Sequence, residues 1–280
     1  MDAKLYIVAT PIGNLEDMTF RAVRILSEVD LIAAEDTRHT LKLLNYYGIS
    51  KPLTSYFDHN QKFKGDRILS DLKQGKSVAL VSDAGTPCVS DPGYNLVRDA
   101  IAAGIAVVPI PGASAVVAAL SASGLPSDIF TFCGFPPSRQ GKRRAFFSQF
   151  AANPGTLVFY EAPHRLLASL ADLEIALGSR TIVVARELTK LYEEFIRGTA
   201  SEIMQHFSPT GVKGEVAILV SPGVTVPHVE FSLEQELEKL LSQARFDPPQ
   251  NTEGRQKGWS IQEAIIDGFP VAIIWCVWVP

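Results

Sequence analysis

The residues best suited to chemistry lie in SDAGTPCVSDPG, residues 82–93, where Asp83 and Asp91 share one loop with Gly85 and Gly93. Glycine lets a backbone approach a guest closely, and the carboxylates can take its hydroxyl or amino groups. The loop follows an apolar run, 77–81, that reads as a buried strand, and it precedes an amphipathic segment, 94–103, that reads as a helix. It therefore sits at the carboxyl end of a strand, where open α/β sheets leave backbone N–H and C=O groups to face a ligand. Asp91-Pro92 fits the N-cap and first position of the following helix, whereas capping leaves Asp83-Ala-Gly-Thr-Pro87 unexplained.

Similar small-residue loops follow other predicted strands. TPIGNL (10–15), EDTR (35–38) and PGAS (111–114) belong with the loop at 82–93 on one edge of a sheet, while YEAPHR (160–165) and ARELTK (185–190) close strands further on. Taken singly, each has a plain structural explanation in helix-end charge or a surface ion pair. Their convergence at strand ends is what marks a site. Gly75-Lys76-Ser77 lacks the first glycine of a phosphate loop and reads as a helix end, and Val116 stands where a nucleophile elbow at Ser114 would need its closing glycine. The five histidines are scattered without ligand spacing, so no metal is expected.

These loops need a scaffold, and 280 residues are enough for two domains with a core each. Strands are predicted at 4–10, 30–34, 53–56, 77–81 and 106–110, with helices at 19–28, 37–47, 63–73 and 94–103 between them: a doubly wound parallel sheet. A helix at 113–123 opens a second block with strands at 129–133, 156–160, 181–185 and 215–220 and helices at 142–152, 163–177 and 201–206. The expected organisation is 1–112, 113–222, and a linker, helix and atypical tail at 223–280; Leu233, Leu237, Leu240 and Leu241 give that helix an apolar stripe behind a capping box at Ser232 and Gln235.

Hydrophobic content of 46% and charge of 20% suit a soluble globular chain, and the longest apolar run, 271–279, is too short for a bilayer. Three scattered cysteines and an N-terminus without a signal-peptide pattern point to a reduced, cytoplasmic protein. With a net charge of −4, nucleic acid would have to be met by a local basic patch. Arg139, Lys142, Arg143 and Arg144, beside Phe146 and Phe147, form one. Cations at a predicted helix start oppose the macrodipole, which argues for an external anion, and Lys62, Lys64 and Arg67 could extend the patch.

ATPIGNLEDMT, AEDTR, SDAGTPCVSDPG, PIPGASA, YEAPHR and RELTKLYEE, in this order and spacing over residues 4–222, resemble the signatures of the tetrapyrrole-methylase-like superfamily of S-adenosylmethionine-dependent enzymes. Within it they are similar to the bacterial small-subunit ribosomal RNA (cytidine-2′-O)-methyltransferases. The resemblance implies a parallel N-terminal and a mixed C-terminal sheet, the donor in the cleft between them, a homodimer, and small-subunit ribosomal RNA as partner. It places Pro11, Asp83, Gly85, Thr86, Ser114, Ala115, Ala162 and Val216 at the methyl donor. Removing a ribose 2′-hydroxyl proton needs a base, for which Asp36, Glu161, His164 and Glu187 are the candidates, without a choice among them, and Lys190 joins the catalytic set as a group that could hold phosphate or depress a neighbour's pKa. Arg38 and Arg165 join the basic patch as candidate RNA contacts.

Two rival functions are methylation of a small tetrapyrrole on the same fold and a non-catalytic nucleotide- or RNA-binding module. The segment 246–280, Pro-rich and then Trp-rich and apolar, departs from the family; an altered terminus that adds no recognisable strand to either sheet is the expectation, with a lineage-specific extension as the alternative.

Overall fold

Alternating apolar segments build the first sheet. β1 (Lys4–Val8), β2 (Leu31–Ala34), β3 (Leu53–Ser55), β4 (Val78–Val81) and β5 (Ala106–Ile110) are linked through α1 (Phe20–Glu28), α2 (Thr37–Tyr46), α3 (Gln61–Lys73) and α4 (Tyr94–Ala102). All pairings are parallel, in the order β3-β2-β4-β1-β5. The pleat sends Ala79 and Val81 to one face, with Ile25 and Leu26 of α1, and Val78 and Leu80 to the other, with Ile68 and Leu72 of α3 and Leu96 of α4. The structure is a computed structural model, which describes residues 3–57, 61–207, 211–223, 261–266 and 269–274.

The second block begins with α5 (Ala115–Ser123) and continues through β6 (Phe130–Phe132), α6 (Gln140–Ser148), β7 (Thr156–Glu161), α7 (Leu166–Leu177), β8 (Ile182–Arg186), β9 (Glu194–Gly198), α8 (Ala200–Phe207) and β10 (Val216–Val220). Its sheet, β6-β7-β10-β8-β9, is mixed: only β6 and β7 run parallel. Helices α6, α7 and α8 cover one face and α5 the other. Ile12, from the loop after β1, packs into the α5 core beside Val116 and Leu188 and so joins the two sheets. Residues Met1–Thr225 form one compact unit and Val226–Pro280 a second.

Several expectations are corrected. β9 was missed because Phe195 and Ile196 stand adjacent between charged residues, which leaves no period of two to read. Asp91 does not cap α4, whose N-cap is Gly93, without a side-chain cap bond. As expected, the tail adds no strand to either five-stranded sheet among the described residues; β11 (Ile261–Ile266) and β12 (Phe269–Ile274) pair antiparallel in a two-stranded sheet of their own, with Asp-Gly, a favoured hairpin dipeptide, between them in sequence. The helix expected around 232–241 lies outside the described residues.

The basic run at α6 finds its anion inside the protein. Asp172, buried in α7, accepts from Arg143 Nε at 2.8 Å and from Arg144 Nε at 2.6 Å, and Arg143 also donates to the Ser138 carbonyl. Burial alone would raise the Asp172 carboxyl, but the hydrogen bonds from Arg144 and Arg143 outweigh it and hold it below the usual carboxylate range. Arg143, only 4% exposed, is thus a structural cation pinning α6 to α7, and the expectation that it meets RNA is withdrawn.

Replacing Asp172 by Asn strands a buried guanidinium, which is expected to destabilise the fold by about 3–5 kcal/mol in urea melts. Because the folded pKa is depressed, the pair contributes fully above the ordinary value of 3.8 and its contribution is lost as pH falls through the lower folded value. The gap between wild type and Asp172→Asn should therefore narrow only in acid.

Candidate functional site

Neighbouring strands β1 and β4 lead away in opposite directions, β1 through α1 to β2 and β4 through α4 to β5, so a crevice opens between their carboxyl ends. Two backbone hydrogen bonds span it: Thr10 N–H to the Gly85 carbonyl at 2.9 Å, and Gly85 N–H to the Thr10 carbonyl at 3.0 Å. The Thr10 hydroxyl donates to the Ser82 carbonyl, and the Thr86 hydroxyl to the Ala113 carbonyl in the loop after β5. Asp83 Oδ1 accepts the Asp36 N–H at 3.0 Å, which ties in the loop after β2. Gly85 itself is left-handed at φ +79°, a conformation that a side chain would strain.

The ends of β7, β8 and β10 face this edge and enclose a cavity of about 410 Å³. Its lining carries Glu35, Asp83, Asp91, Glu161 and Glu215 and, among the described residues, no lysine, arginine or histidine. Ala115, Ala162, Ala185 and Ala217, with Ile12 and Leu188, make part of the remaining wall apolar, and Thr86, Ser90 and Ser114 add hydroxyls. Arg165 and Lys190, outside the lining, pair with Glu161 and Glu215, and the carboxylate-rich lining suits a positively charged guest, while the volume suits a small ligand.

Strained backbone aims two of the apolar lining residues. Cys88 and Ser90, at φ 70° and 62°, flank Val89, and Glu187 and Thr189, at φ 52° and 66°, flank Leu188. Non-glycine residues rarely occupy this region, and each costs of order 1–3 kcal/mol unless neighbours hold it. Glu187 is held by Lys190 Nζ at 2.9 Å and the Glu215 N–H at 3.0 Å; bare Gly214 makes room for its carboxylate.

Of the residues expected at the donor, Asp83, Gly85, Thr86, Ser114, Ala115, Ala162 and Val216 all line the cavity; Pro11 does not, and its neighbour Ile12 does. The Ala162 N–H is already taken by Glu161 Oε1, so Ala162 serves the wall through its methyl or carbonyl. The catalytic candidates fare differently. Asp36 caps α2 and is held at about 2 by its hydrogen bonds from Arg38. The Glu187 carboxyl lies below its ordinary range because Lys190 donates to it. Burial works against the Lys190 charge, but hydrogen bonds to Glu187 and Glu215 prevail and keep it an ammonium. Glu161 is buried against Arg165 and the Ser169 hydroxyl, and His164 is exposed and absent from the lining. A base must meet its proton in the right protonation state and within reach. Glu161 alone of this set lines the cavity, and there it is an ion-pair anchor.

Sequence reasoning missed Glu35, Phe135, Tyr160 and Leu188 as lining residues. A signal did exist for Glu35: Asp36 directly precedes a predicted helix and so reads as its cap, leaving Glu35 as the residue turned to the crevice. Among the expected RNA contacts, Arg139 and Lys142 are exposed, Arg38 is exposed and paired with Asp36, and Arg165 is turned inward to Glu161 and the Pro136 carbonyl. Among the described residues no group of three or more His, Cys, Asp or Glu could hold a metal ion, and no helix is long and apolar enough to cross a membrane.

Gly93, at φ +144°, permits the turn that brings the strained loop back to α4: a Cβ there would overlap Cys88 Sγ and lie 2.8 Å from Leu80 Cδ2. Gly93→Ala is expected to lower stability by about 1–3 kcal/mol. It should also unseat Cys88, whose thiol is pushed up to about 11, chiefly by burial. In wild type both Cys88 and Cys133, the latter likewise raised to about 11, should therefore alkylate slowly at neutral pH. Peptide mapping should show faster labelling at Cys88, and not at Cys133, in the variant.

Residues 4–204 match the family model of tetrapyrrole (corrin/porphyrin) methylases. Ribosomal RNA small subunit methyltransferase I of Halalkalibacterium halodurans is 54% identical over 216 residues, 77% of this chain and 75% of that protein. Its counterpart in Escherichia coli O157:H7 is 50% identical over 220 residues, 78% and 77% of the two chains. Among solved structures, uroporphyrin-III C-methyltransferase from Thermus thermophilus, complexed with S-adenyl homocysteine, superposes with a TM-score of 0.55 at 20% identity, covering 80% of this chain and all of that one. That likeness shows the shared fold. With a family match over most of its length and relatives at half identity, this chain belongs to the tetrapyrrole (corrin/porphyrin) methylase family.

Proposed function

We propose that the protein is a cytoplasmic, homodimeric methyltransferase that uses S-adenosylmethionine to methylate the ribose 2′-hydroxyl of a cytidine in small-subunit ribosomal RNA. Its two sheets, 1–112 and 113–222, act as the two halves of the donor cleft, with 223–280 appended. The observation that carries this reading is the carboxylate-rich cavity where both sheets meet, whose lining holds Asp83 and, among the described residues, no lysine, arginine or histidine. It sits in a chain half identical to proteins named for ribosomal RNA methylation.

The donor supplies a methyl group on a positively charged sulfur. The residues present fit such a molecule. Asp83, anchored through Asp36 N–H, and Asp91 offer negative charge to its ammonium and sulfonium; the start of α5, where Ser114 makes no side-chain cap bond, offers backbone N–H groups to its carboxylate. Alanines 115, 162, 185 and 217 make a flat apolar wall for an adenine. Displacement at a methyl group depends above all on alignment, which the tied loops provide. The proton of the 2′-hydroxyl passes to a carboxylate that reaches the cavity wall; Asp36 and Glu187 do not line it, and Glu161 is held there by Arg165. RNA phosphates, repelled by the acidic cavity, rest outside on Arg139 and Lys142.

Labelled donor incubated with unmethylated small ribosomal subunits, or with a precursor tetrapyrrole, decides between substrates. Label is expected on a cytidine ribose of the RNA and absent from the tetrapyrrole, and the reverse would overturn the reading. Asp83→Ala should weaken donor binding by calorimetry roughly ten- to a hundredfold, the worth of a charge-assisted hydrogen bond. Neutralising Arg139 and Lys142 together should leave donor affinity unchanged and lower the salt slope of RNA binding by about 0.7 to 0.9 per lost phosphate contact.

A further inference from the structure

Phe135 is unusual among the large apolar residues of the cavity wall in being 58% exposed. Water covers more than half of a ring that nothing in its own half of the molecule buries, yet the ring is held firmly. It lies against Tyr160, centroids 5.4 Å apart and planes tilted by 59°, and Tyr160 packs edge-on to Phe132 at 4.9 Å. Tyr160 is fixed in turn: its N–H donates to the Gly134 carbonyl at 2.9 Å. The next residue along, Pro136, is buried, and its carbonyl accepts from Arg165 at 2.9 Å; Arg165 is locked by the buried Glu161. Gly134, left-handed at φ +67°, carries the loop past the Ser90 hydroxyl.

An exposed aromatic face held by a buried ion pair is preorganised for a flat guest. Adenine of the donor would be satisfied by the alanine wall deeper in. A nucleotide whose ribose enters the cavity must be splayed out of its stack, and its base then needs a new partner. Phe135 stands at the rim in the same loop-and-helix segment as the exposed cations Arg139 and Lys142, so base and phosphate would be met side by side.

We propose that Phe135 is the stacking platform for the base of the target nucleotide, and that Arg165 is a positioning residue that holds this platform through Pro136. The inference rests on the RNA-methylating reading above and names how that site selects its substrate.

Wild type, Phe135→Ala, Phe135→Trp, Arg165→Lys and Arg165→Met are compared for donor Kd, for binding of the single-stranded target segment of the RNA, and for KM and kcat with the RNA. Phe135→Ala should raise RNA Kd and KM roughly tenfold, within the range of one lost base stack, with donor Kd unchanged and Phe135→Trp restoring binding. Arg165→Lys, which keeps the charge, should bind RNA closer to wild type than Arg165→Met, and Arg165→Met should raise KM more than it lowers kcat. Unchanged RNA affinity in Phe135→Ala, with active wild type, overturns the platform alone. A weakened donor Kd assigns the ring to adenine and also overturns it. Wild type that binds donor but neither binds nor methylates RNA overturns both readings.

Discussion

The two hydrogen bonds between Thr10 and Gly85 are the constraint on which the site depends. They join the ends of two strands whose chains then part, and backbone groups left unpaired there would otherwise face a crevice with no fixed shape. Once that junction is closed, Thr86 can reach Ala113 and Asp83 can reach the loop after β2, so four strand ends become one rim. The rim needs Gly85 and Gly93 for its turns, and it stores strain at Cys88 and Ser90 that only a well-packed frame can hold.

Charge is sorted by the same geometry. Carboxylates gather at the cavity wall, where Glu161 and Glu215 are paired with Arg165 and Lys190, while Arg139 and Lys142 stay on the surface. Under the proposed function, this field would favour a cationic small molecule inside and keep a polyanion at the mouth except for the part that fits. Ion pairs with a structural task are set apart from this field. Arg143 and Arg144 close on Asp172 to fasten α6 to α7, and Arg165 closes on Glu161 to fasten the loop that carries Phe135.

The left-handed pairs around Val89 and Leu188 show how two unrelated loops solve one problem. Each must turn a single apolar side chain inward from an edge otherwise lined by polar groups. A left-handed residue on either side does so, at an energetic cost offset in one loop by the Lys190, Glu187 and Glu215 network.

Alternation of apolar residues was enough to show the five parallel strands, the second sheet save for β9, and the strand-end position of the donor loops, because burial on both faces leaves its imprint residue by residue. Local chemistry also showed Asp83, Gly85 and Thr86 as a site, since no cap or turn required that combination. What the sequence could not decide was pairing at a distance. Asp172, in an apolar helix, had to find a partner, but only packing of α6 on α7 chose Arg143 and so removed it from the surface. The catalytic candidates Asp36, Glu161, Glu187 and Lys190 looked alike as motif residues; the tertiary structure committed each to a cap or an ion pair and brought only Glu161 of them to the cavity wall. A charge's role is set by the groups within a few ångströms of it, and those groups here come from strands tens of residues apart.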